Sequence, residues 1–242
     1  MVKMNREIFL EELNKIGIDL TGREMISFNA YCDFLKEYNK HTNLTNITED
    51  DQIFLKHFYD SLTIVKAIDL NEIDTILDVG TGAGFPGMVL KIIFPHLKLV
   101  LLDSNNKKIN FLKELAKKLN IKGIEFFHGR VEEYCQKHRE SFDIVTARAV
   151  TNMTTLTELC LPLTKVNGYF IAMKGSNEEE IEAAKYAIQL LGGKIEEQIK
   201  FNLPIEESGR NIIKIKKVKN TPKEYPRRYD KMVKNPLKNN GK

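Results

Sequence analysis

Thr75-Ile76-Leu77-Asp78-Val79-Gly80-Thr81-Gly82-Ala83-Gly84-Phe85-Pro86-Gly87 reads as a strand, a glycine-rich turn and the start of a helix. The apolar run up to Val79 suits a buried strand. Glycines let the backbone approach a ligand closely, and the free N–H groups of a helix start attract polar ligand atoms. Pro86 fits the first helical turn, where its missing N–H is not needed. The arrangement suits a nucleotide-like ligand.

Gly82-Ala83-Gly84-Phe85-Pro86-Gly87 also matches the dinucleotide pattern GxGxxG. Two features separate it from a nicotinamide site, and a third marks an adenosine site. Asp78 stands at the strand end, where a carboxylate repels a pyrophosphate and suits a cationic amino-acid ligand. The glycines start at Gly80, giving GxGxG directly off the strand. Asp103 closes the next strand, Leu99-Val100-Leu101-Leu102-Asp103, where an acid reaches ribose hydroxyls, a contact both cofactors share, so it marks an adenosine site without choosing between them. Phe85 offers an apolar wall. These features favour S-adenosylmethionine, with Asp78, Gly80, Gly82, Gly84, Phe85 and Asp103 as candidate cofactor residues.

Working outward, short apolar runs alternate with helical stretches. Strands are expected at 76–79, 97–102, 124–127, 142–146 and 169–173, and helices at 86–94, 106–119, 152–161 and 178–191. Strands alternating with helices imply an α/β fold with a mostly parallel, Rossmann-like sheet. Two late strands, about 194–201 and 211–218, are separated only by a loop and predict an antiparallel pair at the sheet edge. Before the sheet, apolar residues at helical spacing predict helices near 9–13 and over 24–40, and a third from about 49 past Val65. The expected division is a helical cap over 1–70, a cofactor-binding domain over 71–219 and a basic tail over 220–242.

The 242-residue chain is 42% hydrophobic and contains no run of the ~18 apolar residues a membrane span requires. Its first residues lack the apolar core of a signal peptide. A cytoplasmic protein without a membrane partner is expected. Cys32, Cys135 and Cys160 are scattered, and no CxxC pair indicates a metal site. Covalent cytosine methyltransferases place their cysteine after a proline, whereas Cys160 precedes Leu161-Pro162. The formal charge is only +4, yet from Lys214 onward 11 Lys and Arg face 2 acids. The rest of the chain is therefore net acidic, and a basic end of this kind suits nucleic acid phosphates or plain solvation.

Several segments together resemble one family, the bacterial small-subunit ribosomal RNA guanine-N7 methyltransferases (RsmG, also called GidB). They are Tyr38-Asn39-Lys40, Asn43-Leu44-Thr45, Lys56-His57-Phe58-Tyr59-Asp60-Ser61-Leu62, and the turn from Asp78 to Gly87. Further on stand Leu101-Leu102-Asp103-Ser104, Arg130-Val131-Glu132-Glu133, Thr146-Ala147-Arg148-Ala149-Val150, Met173-Lys174-Gly175 and Tyr225-Pro226-Arg227-Arg228. The resemblance implies a class I methyltransferase sheet and methyl transfer from S-adenosylmethionine to a guanine N7 in the 530-loop region of 16S rRNA. It implies the small ribosomal subunit or its precursor as partner. A monomer without metal is expected. It also implies cofactor contacts at Gly80, Phe85, Val131, Glu132 and Arg148. Family members often carry Arg-His where this chain has Arg210-Asn211, so the role of Asn211 is open.

Guanine N7 carries a lone pair and need not lose a proton before it attacks a methyl group, so alignment matters more than a general base. The sequence agrees. Thr146-Ala147-Arg148-Ala149 stands where exocyclic-amine methyltransferases often carry an Asp/Asn-Pro-Pro-aromatic motif. Arg148 is the residue expected to position substrate or cofactor, or else to pair with Asp78 or Asp143. Lys174 either faces RNA or ends a strand. His57 is expected to be packed or capping rather than catalytic. Arg227 and Arg228 are expected to meet phosphate, since guanidinium forks suit phosphate oxygens.

Overall fold

The chain, examined as a computed structural model that describes residues 3–148, 150–175 and 177–239, is built on one seven-stranded sheet. Its strands are β1 (Thr75–Val79), β2 (Lys98–Asp103), β3 (Ile124–His128), β4 (Phe142–Arg148), β5 (Thr164–Lys174), β6 (Gly193–Asn202) and β7 (Gly209–Lys217). Their order is β3-β2-β1-β4-β5-β7-β6. The first five are parallel, and β7 runs antiparallel to both β5 and β6.

Strand alternation divides the apolar residues between two cores. Ile76, Leu99, Leu101, Ile144, Ile171 and Ile212 face one layer of helices. Leu77, Val79, Val100, Leu102, Val145 and Phe170 face the other. The first layer holds the N-terminal helices α1 (Arg6–Asn14), α2 (Gly22–Thr42), α3 (Asp50–Ile53) and α4 (Asp60–Leu62), then α5 (Gly87–Ile93) and α6 (Asn106–Lys118). The second holds α7 (Val131–His138), α8 (Met153–Cys160), α9 (Glu178–Leu190) and α10 (Tyr229–Lys234). Strand order reverses between β1 and β4, so ligands are expected outside the carboxyl ends of these strands.

The N-terminal helices are not a separate unit. Thr21 and Glu24 form a capping box that starts α2, and Asn43 ends it in the left-handed conformation, with φ 49°. Its Tyr31 and Phe28, with Phe9, Phe54 and Phe58, enter the same core as Met88 and Phe111. Tyr31 stacks on Phe85 at 5.6 Å and its hydroxyl donates to the Ala83 carbonyl. The expected boundary near residue 70 is therefore a change of secondary structure inside one core.

The expected antiparallel pair stands at the sheet edge, with β7 next to β5 and β6 outermost. Two expectations need correction. The third N-terminal helix is composite: a π-helical turn, Phe54–Tyr59, separates α3 from α4. The stretch after 219 is not a free tail. Arg139 donates to the carbonyls of Thr221 (2.7 Å), Pro222 (2.9 Å) and Tyr225. The fully buried Lys217 ammonium reaches Leu161 O at 2.5 Å and Thr221 Oγ1 at 2.8 Å. Burial pulls its pKa down to about 8 against the attraction of Glu140. Much of the basic end is thus anchored to the domain, which charge counting cannot foresee.

Tyr31→Phe tests the tie between α2 and the glycine turn. It leaves the Ala83 carbonyl without its side-chain donor and should cost about 1–3 kcal/mol in denaturant titration. A change below about 0.3 kcal/mol would mean the hydroxyl adds nothing to the packed rings.

Candidate active site

The glycine turn is tied across the sheet, since the amides of Gly80 and Thr81 both donate to Leu102 O, at 2.8 and 3.0 Å. Gly82 has φ +60°, and a Cβ there would meet only Gly80 O at 4.0 Å, so it would project into open space. That open cradle fits a ligand lying against the turn. Gly84, φ +98°, is different: a Cβ would lie 2.5 Å from the Tyr31 hydroxyl and 2.8 Å from Leu112 and Met88. Its smallness serves packing. Asp78 is fully buried beneath the turn. Its Oδ2 accepts from the Gly87 amide at 2.9 Å and the Thr81 hydroxyl at 2.7 Å. Burial raises its pKa to about 6, against those two hydrogen bonds. Asp78 and Gly84 therefore build the turn and border neither adjacent cleft, while Asp78 Oδ1 has no hydrogen-bond partner among the described residues.

Two clefts flank the turn and share Gly80 and Lys108. The larger, about 620 Å³, is bordered by Gly82, Phe85, His57, Asp60, Arg148 and Lys174. The smaller, about 310 Å³, is bordered by Asp103, Gly129, Val131, Glu132, Val150 and Tyr229. Asp103 is held in place: its Oδ2 accepts from the Gly82 amide at 2.9 Å and its Oδ1 from the Asn105 amide at 2.8 Å. Thus the sequence candidates Gly80, Gly82, Phe85, Asp103, Val131, Glu132 and Arg148 do gather around one turn. Ala149, within the quoted Arg148 motif, lies outside the described residues.

Arg148 ends β4 and leans over the Phe85 ring, 5.1 Å from its centroid. Its expected partners, Asp78 and Asp143, are engaged elsewhere, Asp143 by Thr75 and Lys165. Its partner is Asp60, 3.2 Å away, which also receives Arg210 at 3.1 Å. The π turn supplies a second acceptor. The Asp60 amide donates to Leu55 O and His57 O, not to Lys56 O as in a regular helix. Lys56 O instead accepts from Arg148 at 2.7 Å. Such irregular turns are frequent at functional sites.

His57 completes the cluster. It stacks on Phe85 at 4.3 Å and 13°. Arg148 can only donate, so its 3.3 Å contact makes His57 Nδ1 the acceptor. The proton then sits on Nε2, which donates to Thr45 Oγ1 at 2.9 Å. Burial, joined by the Arg148 charge, drags the imidazole pKa down to about 3. His57 is a neutral packing and hydrogen-bonding group, as its apolar neighbours suggest.

The candidate RNA residues separate. Lys174 lines the larger cleft, held by Glu180 at 2.7 Å and Thr151 O at 2.8 Å. Arg227 does not present a free fork, because Nη2 and Nε bond the buried Glu158 at 2.6 and 2.8 Å. Arg228 is exposed and pairs with the exposed Asp230 at 3.4 Å. Asn211 is buried on β7, and neither amide atom has a hydrogen-bond partner among the described residues. Sequence reading missed Asp60, Arg210 and Tyr229. Asp60 lay inside a quoted segment, but nothing local tied it to residues about 90 and 150 positions away.

Two measurements check this geometry. Asp60→Asn leaves two guanidinium groups without a counter-charge and should cost about 2–3 kcal/mol, less than full burial would, because the cleft admits water. A cost below about 0.5 kcal/mol would mean the pair is solvent-screened. The neutral His57 also predicts acid sensitivity. The unfolded chain binds its proton near the ordinary pKa of about 6.5 and the folded chain does not, so stability falls as pH drops from about 6.5 toward 3. Going from about pH 7.5 to pH 5, this group should remove roughly 2 kcal/mol. His57→Gln should lack that share of the loss; an unchanged slope would exclude His57 as its source.

Comparison with known proteins shows the family and the fold. The profile of the family GidB, rRNA small subunit methyltransferase G, matches residues 24–208. Ribosomal RNA small subunit methyltransferase G of Bacillus subtilis is 50% identical over 97% of this chain and 99% of its own length. The protein of that name in Lachnoclostridium phytofermentans is 49% identical over 95% of this chain and 96% of its own. Among solved structures, TrmN from Thermus thermophilus superimposes with TM-score 0.54 at 12% identity, over 68% of this chain and 53% of its own, a likeness of fold alone. The chain belongs to the rRNA small subunit methyltransferase G family.

Proposed function

We propose that this protein transfers a methyl group from S-adenosylmethionine to N7 of a guanine in the 530-loop region of 16S rRNA, acting on the small ribosomal subunit or its precursor. The observation that carries this reading is the pair of clefts meeting at the glycine turn, one bordered by the Asp103 carboxylate and the other by Arg148. Asp103 would accept from ribose hydroxyls, and the Val131–Glu132 backbone would border the adenine. Gly82 keeps the turn open for the ligand. Phe85 and Arg148 face the larger cleft, where the amino-acid end and the target base would meet. When bound, the cofactor supplies a methyl group already activated on a sulfonium.

The chain's own task is then alignment. Guanine N7 is an acceptor exposed in the major groove, and no proton must leave it before attack. Neutral His57, stacked on Phe85, fills the wall without adding charge. Arg148, fixed by Asp60 and Lys56 O, is the positioning group. Arg228, with Lys174 at the cleft, is the candidate RNA contact; Arg227 supports the segment that carries Arg228. The protein works as a monomer in the cytoplasm. Among the described residues no helix is long and apolar enough to cross a membrane.

The test is transfer of labelled methyl from S-adenosylmethionine to small subunits from a strain lacking this enzyme, with the modified nucleotide mapped. Label at one guanine N7 is expected, and Arg148→Ala should lower kcat/KM by about 100-fold through lost alignment. Folded, cofactor-binding enzyme that labels no guanine N7 would overturn the assignment. Calorimetry showing NAD bound in place of S-adenosylmethionine would overturn the cofactor.

A further inference from the structure

The segment after β7 supplies the outer wall of the smaller cleft. Tyr229 is half-buried there, bordering the cleft together with Val131 and Glu132 and packing on the second core. Its amide donates to Glu132 Oε1 at 3.3 Å, and the Arg130 guanidinium lies 5.7 Å from its ring centroid. The ring is held from both sides along the chain. Two residues before it, Arg227 grips Glu158 through its side chain and through its own amide at 2.9 Å, and Glu158 is only 1% exposed. Three residues after it, Met232 is fully buried in the second core. A tyrosine fixed at both flanks, with its ring against an open cleft, is a preformed aromatic surface.

We infer that Tyr229 is an adenosine-contacting residue, its ring forming the outer wall of the cofactor cleft, with the Arg227–Glu158 pair as the strap that holds it there. The inference rests on the assignment of the smaller cleft to adenosine. An aromatic ring offers a purine or its ribose a large apolar contact at little conformational cost, because the segment is already ordered. The ring, as the large apolar part of the side chain, is taken to carry the contact. The wall comes from a part of the chain whose charge alone points to nucleic acid. Arg228 and Lys231 stand exposed on the same short segment, beside the cleft rather than within it.

Calorimetry on the full chain tests this with S-adenosylmethionine and S-adenosylhomocysteine as probes. Tyr229→Ala should raise Kd for both by about 10-fold, in the range expected for loss of an aromatic surface under a base. The loss should be equal, because adenosine is common to the two. Tyr229→Phe should stay within about 2-fold, since the hydroxyl is not used. Glu158→Gln, which loosens the strap without touching the cleft, should also weaken both. Thermal melts without ligand control for folding, because Tyr229→Ala should leave the apo melting temperature nearly unchanged. Wild-type Kd in folded Tyr229→Ala, or a loss confined to S-adenosylmethionine, would overturn the inference while leaving the cofactor reading intact. Failure of the wild-type chain to bind either probe would overturn both.

Discussion

A guanidinium at the carboxyl end of β4 cannot stay buried without a counter-charge, and Asp60 provides one from the N-terminal helices. Removing a charge from water is costly unless it is paired and hydrogen-bonded. The requirement explains several features at once. It brings the π turn against the sheet, because the released Lys56 carbonyl is the second acceptor for Arg148. It draws Arg210 from β7 to the other oxygen of Asp60. It sets a neutral His57 against both Arg148 and the Phe85 ring. Three distant parts of the chain thus meet at one carboxylate, and Tyr31 fixes the same region to the turn from the other side.

The same principle reorganises the view of charge. The chain looks cationic toward its end, yet several of those cations serve the interior. Lys217 is fully buried among carbonyls, and Arg227 lies on a buried carboxylate. At the larger cleft, Lys56 meets Glu206 at 2.8 Å and Lys174 meets Glu180 at 2.7 Å. Partly exposed ion pairs such as the last two are weak evidence for stability, but they occupy cations that would otherwise be free. Fewer groups are left to meet phosphate than the composition implies, and Arg228 stands out among them for its exposure.

How much was legible beforehand follows from what each feature depends on. The strands of the sheet were legible because their periodicity is local, and the glycine turn because its residues adjoin in sequence. Asp103 was legible since it closes a recognisable strand. Pairings across the fold were not. Nothing near Arg148 indicates Asp60, and nothing near Arg227 indicates Glu158. The π turn was also hidden, since 49–65 carries ordinary helical spacing and the irregularity comes from tertiary packing. The structural part of Asp78 was hidden for a related reason. A carboxylate at a strand end suggests a ligand, but nothing local shows that its Oδ2 also accepts from the Gly87 amide and the Thr81 hydroxyl.

On the proposed reading, the charge of the Arg148 cluster can be argued further. It holds two guanidinium groups, one carboxylate and a neutral imidazole, a formal balance of +1. Were His57 protonated, the cluster would hold a further positive charge beside the larger cleft. That would oppose a reaction in which positive charge moves from a sulfonium onto a base. Were Asp60 absent, the two guanidinium groups would repel each other and leave Arg148 without a fixed direction. Burial of His57 and pairing by Asp60 therefore act in the same sense. They keep one orientable cation at the cleft, enough to meet a carboxylate or an acceptor edge of a base, without filling the site with charge that methyl transfer would have to overcome.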